Sequence, residues 1–157
     1  MENIKIYKAT MKDFNNIQKM HNKLVRFEVI SLNNYTCNKS WTYLPSGCTF
    51  IKTVILHGIT YIVKDDKEAI GYICGVIQKD DGINNTSFAE ICNIYVDEGY
   101  RNRGIATDLI KIFKDVCKKR NIKYIKIKAL TNNTDAIKLY SNLNFKSHII
   151  ELLLKND

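Results

Sequence analysis

The sequence predicts one α/β domain around a mixed, mostly antiparallel sheet, and three observations predict it. Segments of strand character and segments of helical spacing interleave along the whole 157-residue chain. Two strand-like runs, 59–64 (ITYIVK) and 69–78 (AIGYICGVIQ), flank the turn Asp65-Asp66-Lys67-Glu68 and so form a hairpin. A third run, 88–96, passes through a short turn directly into an amphipathic helix. No repeat, low-complexity tract or Gly/Ser/Pro-rich linker divides the chain, and its length suits a single domain with a sizeable core.

In order, residues 3–8 alternate as an opening strand. Thr10-Met11-Lys12-Asp13 is close to a capping box, and Phe14, Ile17, Met20, Leu24 and Val25 mark the inner face of the helix that follows. Residues 31–45 are polar and irregular. Their aromatics Trp41 and Tyr43 suit either a substrate pocket or the packing of a loop onto the core. Phe50, Ile51, Val54 and Ile55 place a second helix over about 46–57, closed by Gly58. The hairpin comes next, then a polar loop over 79–86 and the strand at 88–96. From Gly104, Ile105, Leu109, Ile112, Phe113 and Val116 recur at helical spacing to about Arg120, where Asn121 suits a left-handed cap. Residues 122–129 alternate almost strictly as a strand, 133–143 form a last helix, and 145–154 close the chain as a strand.

Composition is that of an ordinary soluble domain, 45% hydrophobic and 25% charged. No apolar run of membrane-spanning length appears, and the N-terminal residues lack the apolar core of a signal peptide, so the expected location is the cytoplasm. Five cysteines, an odd number with no C-x-x-C, and three scattered histidines suggest neither a disulfide framework nor a metal site. Cys74, Cys92 and Cys117 read as small buried hydrophobes. The net charge of +8 comes mostly from lysine, with no basic block interleaved with aromatics. It reads as a solvated surface that helps attract an anionic cofactor rather than as a nucleic-acid face.

The chemistry concentrates at the junction Arg101-Asn102-Arg103-Gly104-Ile105-Ala106, between the third strand run and its helix. Gly104 and Ala106 keep the backbone uncrowded. The first amides of the helix have no partner within it and lie at the positive end of its dipole, and two arginines flank them. The junction therefore suits a phosphate group. It is neither G-x-x-x-x-G-K-[ST] nor G-x-G-x-x-G, which excludes a P-loop and a dinucleotide fingerprint.

The pattern Arg-x-x-Gly-x-Ala after a strand resembles the acetyl-CoA site of the GCN5-related N-acetyltransferases, the GNAT superfamily. A second resemblance lies at Asn133-x-x-Ala136-x-x-Leu139-Tyr140-x-x-x-Asn144-Phe145, which follows the family's Asn-x-x-Ala-x-x-Leu-Tyr-x-x-x-Gly-Phe with Asn144 in place of Gly. That position takes positive φ, where Asn is the next best residue. The resemblance implies the GNAT fold: a central mixed sheet of six to seven strands flanked by about four helices, with homodimers common among members.

It also implies acetyl transfer from acetyl-CoA to an amine by direct attack in a ternary complex. Tyr140 falls on the family's tyrosine, the general acid for the leaving thiolate. Glu90, in Phe88-Ala89-Glu90-Ile91, falls where one branch of the family carries its base; a water relay is the alternative. Ile94 and Val96 would offer backbone groups to the pantetheine arm. Arg101, Arg103, Gly104, Ile105, Ala106 and Thr107 would surround the pyrophosphate, Asn133 would contact the CoA chain, and Lys138 would reach a CoA phosphate. The acceptor is a small-molecule or peptide amine. A non-catalytic acetyl-CoA-binding regulatory domain is the alternative function.

Overall fold

The computed structural model describes residues 3–79 and 86–156; the polar loop expected over 79–86 lies mostly outside them. Five strands form one sheet in chain order: β1 (Ile4–Lys8), β2 (Ile59–Asp65), β3 (Glu68–Gln78), β4 (Phe88–Val96) and β5 (Tyr124–Ile127). The first three pairings are antiparallel and the β4–β5 pairing is parallel. Among the described residues four α-helices accompany the sheet: α1 (Phe14–Ser31), α2 (Pro45–His57), α3 (Ile105–Lys119) and α4 (Thr134–Asn142).

Local chemistry accounts for most of these boundaries. Asp13 accepts hydrogen bonds from the Thr10 amide at 3.0 Å and the Thr10 hydroxyl at 3.2 Å, fixing the entry to α1. Its other oxygen takes the Lys64 ammonium of β2 at 2.7 Å, which ties the helix start to the sheet. Burial opposes the Asp13 charge, yet the bonds from Lys64 and Thr10 outweigh it and hold its pKa below the usual value. Pro45 opens α2 at its first position, where the missing N–H costs nothing. Asn121 and Asn144 adopt φ of +57° and +68°, the left-handed geometry that ends a helix.

Two apolar clusters lie on opposite faces of the sheet. One joins Ile73, Ile91, Leu109, Ile110 and Phe113 beneath α3; the other joins Ile17, Met20, Ile51, Val54, Tyr72 and Tyr95 beneath α1 and α2. Trp41 belongs to the packing, with its ring centroid 5.3 Å from His21 and 5.5 Å from Phe50, while Tyr43 stays exposed. Cys74 and Cys117 are buried and Cys92 is half-buried.

One expectation is corrected. Residues 145–154 do not form a strand, and among the described residues the sheet has five strands rather than six or seven. Their strand-like composition is real, but a strand needs a paired neighbour, and residues 146–154 are exposed with none among the described residues. Among the described residues no helix is long and apolar enough to cross a membrane.

Candidate active site

The site is organised by a divergence of two strands. β4 and β5 pair only between residues 88–91 and 124–127. Beyond Ile91, the stretch 92–96 of β4 has no neighbour on that side among the described residues, so a wedge opens between the strands. A bulge sits at its apex. Asn93 lies opposite Cys74 and Ile91 opposite Gly75, which leaves Cys92 as the extra residue on β4.

The bulge also sets which groups face the wedge. The Asp97 amide donates to the Ile70 carbonyl of β3 at 2.8 Å. By the alternation of an antiparallel ladder, Val96 and Ile94 then direct their N–H and C=O groups away from β3, toward the wedge. The Val96 carbonyl accepts from Arg101 Nε at 3.0 Å, so Arg101 closes that end of the edge.

The junction predicted to hold phosphate lies at the end of β4. Gly104 is the N-cap of α3 with φ +81°, a backbone that other residues rarely adopt, and a Cβ there would meet nothing within 4 Å. Open space therefore stands in front of the first amides of α3. Ile105 turns into the core, and Ala106 and Thr107 are half-buried on the first turn. The Arg103 guanidinium donates to the Gly99 carbonyl at 2.7 Å and lies 5.1 Å from the centre of the Tyr100 ring. Arg101 lies 5.8 Å from the centre of the Phe27 ring, which brings the end of α1 beside the junction. Both arginines are exposed at one margin, positioned by backbone and aromatic contacts.

α4 borders the site from the other strand. Asn133 is its N-cap, with its side-chain oxygen accepting from the Ala136 amide at 3.3 Å, and Lys138 is exposed. Tyr140 is half-buried and meets Phe145 edge-on at 6.0 Å. Burial, with the nearby Glu28 charge added, pushes its hydroxyl up to about 12, so it carries its proton at neutral pH. Glu90 is mostly covered and lies 3.5 Å from Lys128, just beyond β5.

Sequence reading missed two residues. Glu28 on α1 is half-buried, and its charge acts on Tyr140 and on Tyr72. Burial raises its pKa above the usual carboxylate value, against the pull of a hydrogen bond from the Asn34 side chain. A signal was available, since Glu28 continues the stripe of Ile17, His21, Leu24 and Val25, placing a carboxylate where an apolar residue belongs. Tyr72 on β3 is fully buried, and its hydroxyl has no hydrogen-bond partner among the described residues. Nothing in the spacing around Tyr72 distinguishes it from a core aromatic.

The sequence profile of the family described as "Acetyltransferase (GNAT) family" matches residues 28–145, well over half of the chain. The protein belongs to the GNAT acetyltransferase family. This GNAT chain is 27% identical over 86 residues to the uncharacterized protein YxbD of Bacillus subtilis (strain 168). That alignment covers 54% of this chain and 48% of YxbD, about half the length of the relative. Among solved structures, it superposes on a possible acetyltransferase from Clostridium difficile 630 with TM-score 0.73 and 22% identity, over 98% of this chain and 97% of the other. It superposes on the aminoglycoside N-acetyltransferase AAC(6')-Iy in complex with CoA with TM-score 0.76 and 15% identity, over 99% and 96%. A transcriptional regulator from Bacillus halodurans C-125 is similar too, with TM-score 0.75 and 17% identity over 98% and 100%. At these identities the structures share the GNAT fold with this chain.

Proposed function

We propose that this GNAT protein transfers an acetyl group from acetyl-CoA to a primary amine by direct attack in a ternary complex. The observation that carries the reading is the wedge between β4 and β5 opening beside the N-terminus of α3. A wedge with an exposed backbone edge suits an extended, amide-containing arm, and a helix start flanked by arginines suits its phosphates. The space in front of Gly104 fits this, since no side chain fills it.

Acetyl-CoA would supply an activated thioester. Ile94 and the Val96 amide would hold its pantetheine arm. The amides of Ile105, Ala106 and Thr107, with Arg101 and Arg103, would hold the pyrophosphate; Asn133 and Lys138 would contact the remainder. Tyr140 keeps a proton on its hydroxyl and would give it to the departing sulfur. Glu90 would take the proton that the amine loses, directly or through water. Glu28 would attract the protonated amine before reaction, since its charge acts on Tyr140.

A small amine of the polyamine, amino-acid or aminoglycoside-like class is the proposed acceptor. AAC(6')-Iy is named as an aminoglycoside N-acetyltransferase and was solved with a bisubstrate analogue, CoA-S-monomethyl-acetylneamine. The proposed location is the cytoplasm. The test is release of free thiol from acetyl-CoA in the presence of a panel of amines and short peptides. Release that depends on one amine class supports the enzyme. No release with any acceptor, while acetyl-CoA still raises Tm, would favour a binding domain instead.

A further inference from the structure

Between α1 and the sheet, Glu28, Tyr72 and Asn93 are incompletely paired among the described residues. Asn93 sits at the bulge of β4, where its side-chain oxygen accepts from the Cys74 thiol at 3.6 Å. That contact turns the Asn93 Nδ2 donors away from Cys74, and no described residue accepts from them. Cys74 and Tyr72 belong to the cluster beneath α1 and α2, so Asn93 faces the same side of the sheet. The Tyr72 hydroxyl is fully buried there without a partner, a state that costs about 1–3 kcal/mol. Burial holds its proton on, and Cys74, Glu28 and Cys92 add to the effect, which places the hydroxyl among these groups.

Other carboxylates of β4 and the turn after it already carry a cation. Asp97 takes Lys23 at 2.7 Å, Glu90 lies 3.5 Å from Lys128, and Glu98 lies 3.9 Å from Arg101. Asp135 is exposed in the first turn of α4, where it complements the helix dipole. Glu28 is half-buried with the Asn34 side chain beside it and, among the described residues, no cation. One such carboxylate holds one ammonium. A second ammonium on the same ligand would find no comparable acid, on a chain whose net charge is already +8. The Nδ2 donors of Asn93 instead suit a ligand oxygen, best of all a carboxylate.

We propose that Glu28 and Asn93 select a zwitterionic acceptor of amino-acid type, with Glu28 holding its ammonium and Asn93 donating to its carboxylate. The buried Tyr72 hydroxyl would gain its missing partner from the seated ligand. Polycationic amines are disfavoured at this site. The inference rests on the proposed acetyl transfer and narrows its acceptor class.

The test is free-thiol release from acetyl-CoA with the standard amino acids, with the amine each leaves on loss of its carboxylate, and with putrescine, spermidine and neamine. The kcat/KM of the best amino acid should exceed that of its decarboxylated amine, and of every polycation, at least tenfold. Asn93→Asp and Asn93→Ala should each cut the preference over the decarboxylated amine at least tenfold, a ratio that a merely structural loss would not move. A polycation as the best acceptor overturns the proposal, as does a preference that both variants keep. If no amine releases thiol, the acetyl-transfer reading fails, and the Tm of the CoA-loaded protein decides this one. An amino acid that raises Tm in the parent chain but not in Asn93→Asp upholds the site, and no such rise overturns it.

Discussion

The side-chain amide of Asn132 donates to the carbonyl oxygen of Leu32 at 2.7 Å, across 100 positions of sequence. This bond fastens the end of α1, the helix that carries Glu28, to the loop that leads into α4, the helix that carries Tyr140. Replacing Asn132 with Ala removes one exposed hydrogen bond and should cost no more than about 1 kcal/mol of stability. It should raise the KM for the amine while leaving acetyl-CoA affinity unchanged. Steady-state kinetics with a cofactor titration would check this, and an unchanged KM would mean that the seam does not position Glu28.

Two carboxylates border the site, and they should separate kinetically. Glu28→Gln removes a charge that attracts a cationic amine, so KM should rise about tenfold with kcat little changed, on the scale of one lost charged contact. Glu90→Gln removes the proposed base, and kcat should fall by about 10²–10⁴-fold. Initial rates across acceptor concentration distinguish the two. If Glu28→Gln lowers kcat and Glu90→Gln does not, the base is Glu28.

Gly104→Ala isolates the cradle. Space is open there, but φ of +81° is not suited to a Cβ, so strain of about 1–2 kcal/mol should lower Tm by roughly 2–8 °C. Gly104→Asn should cost less, because Asn tolerates this region. Acetyl-CoA binding by calorimetry should weaken in both variants if the backbone at Gly104 faces the pyrophosphate. Affinity equal to that of the parent chain would place the phosphates elsewhere.

Much of this architecture was legible because its causes are local. Gly104, Asn121 and Asn144 announce left-handed backbone, and the spacing of Ile105, Leu109, Phe113 and Val116 follows from one helix face on the sheet, whose other buried members are Ile110 and Cys117 rather than Ile112. Two features were not legible, because their causes are distant. The alternation of 122–129 continues past the point where β4 and β5 diverge, so it could not show that pairing stops at Ile127. The segment 145–154 has strand composition, but whether a strand forms depends on an edge that its local sequence does not encode. Glu28 lies between these cases: its place in the α1 stripe was visible, while its neighbour Tyr140 was more than a hundred residues away.

Acid sensitivity should trace partly to His21. Burial lowers its pKa to about 4, and its ring packs beside both Trp41 and Phe50 with Nδ1 2.8 Å from the Thr42 hydroxyl. A histidine with a lower pKa folded than unfolded binds its proton first in the unfolded chain. Stability is therefore complete above about pH 6.5 and declines as pH falls toward about 4. The loss is on the order of 3 kcal/mol. His21→Gln should flatten this slope in urea unfolding measured between those pH values, and an unchanged slope would assign it to other groups.

Tyr140→Phe tests the account most directly, with turnover and acetyl-CoA affinity measured on the same preparation. The variant keeps the ring that packs on Phe145 and loses only the hydroxyl. The account predicts that kcat falls by about 10²-fold or more while the Kd for acetyl-CoA stays within about twofold of the parent value. Unchanged turnover would contradict Tyr140 as the proton donor, and with it the proposed chemistry at the β4–β5 wedge.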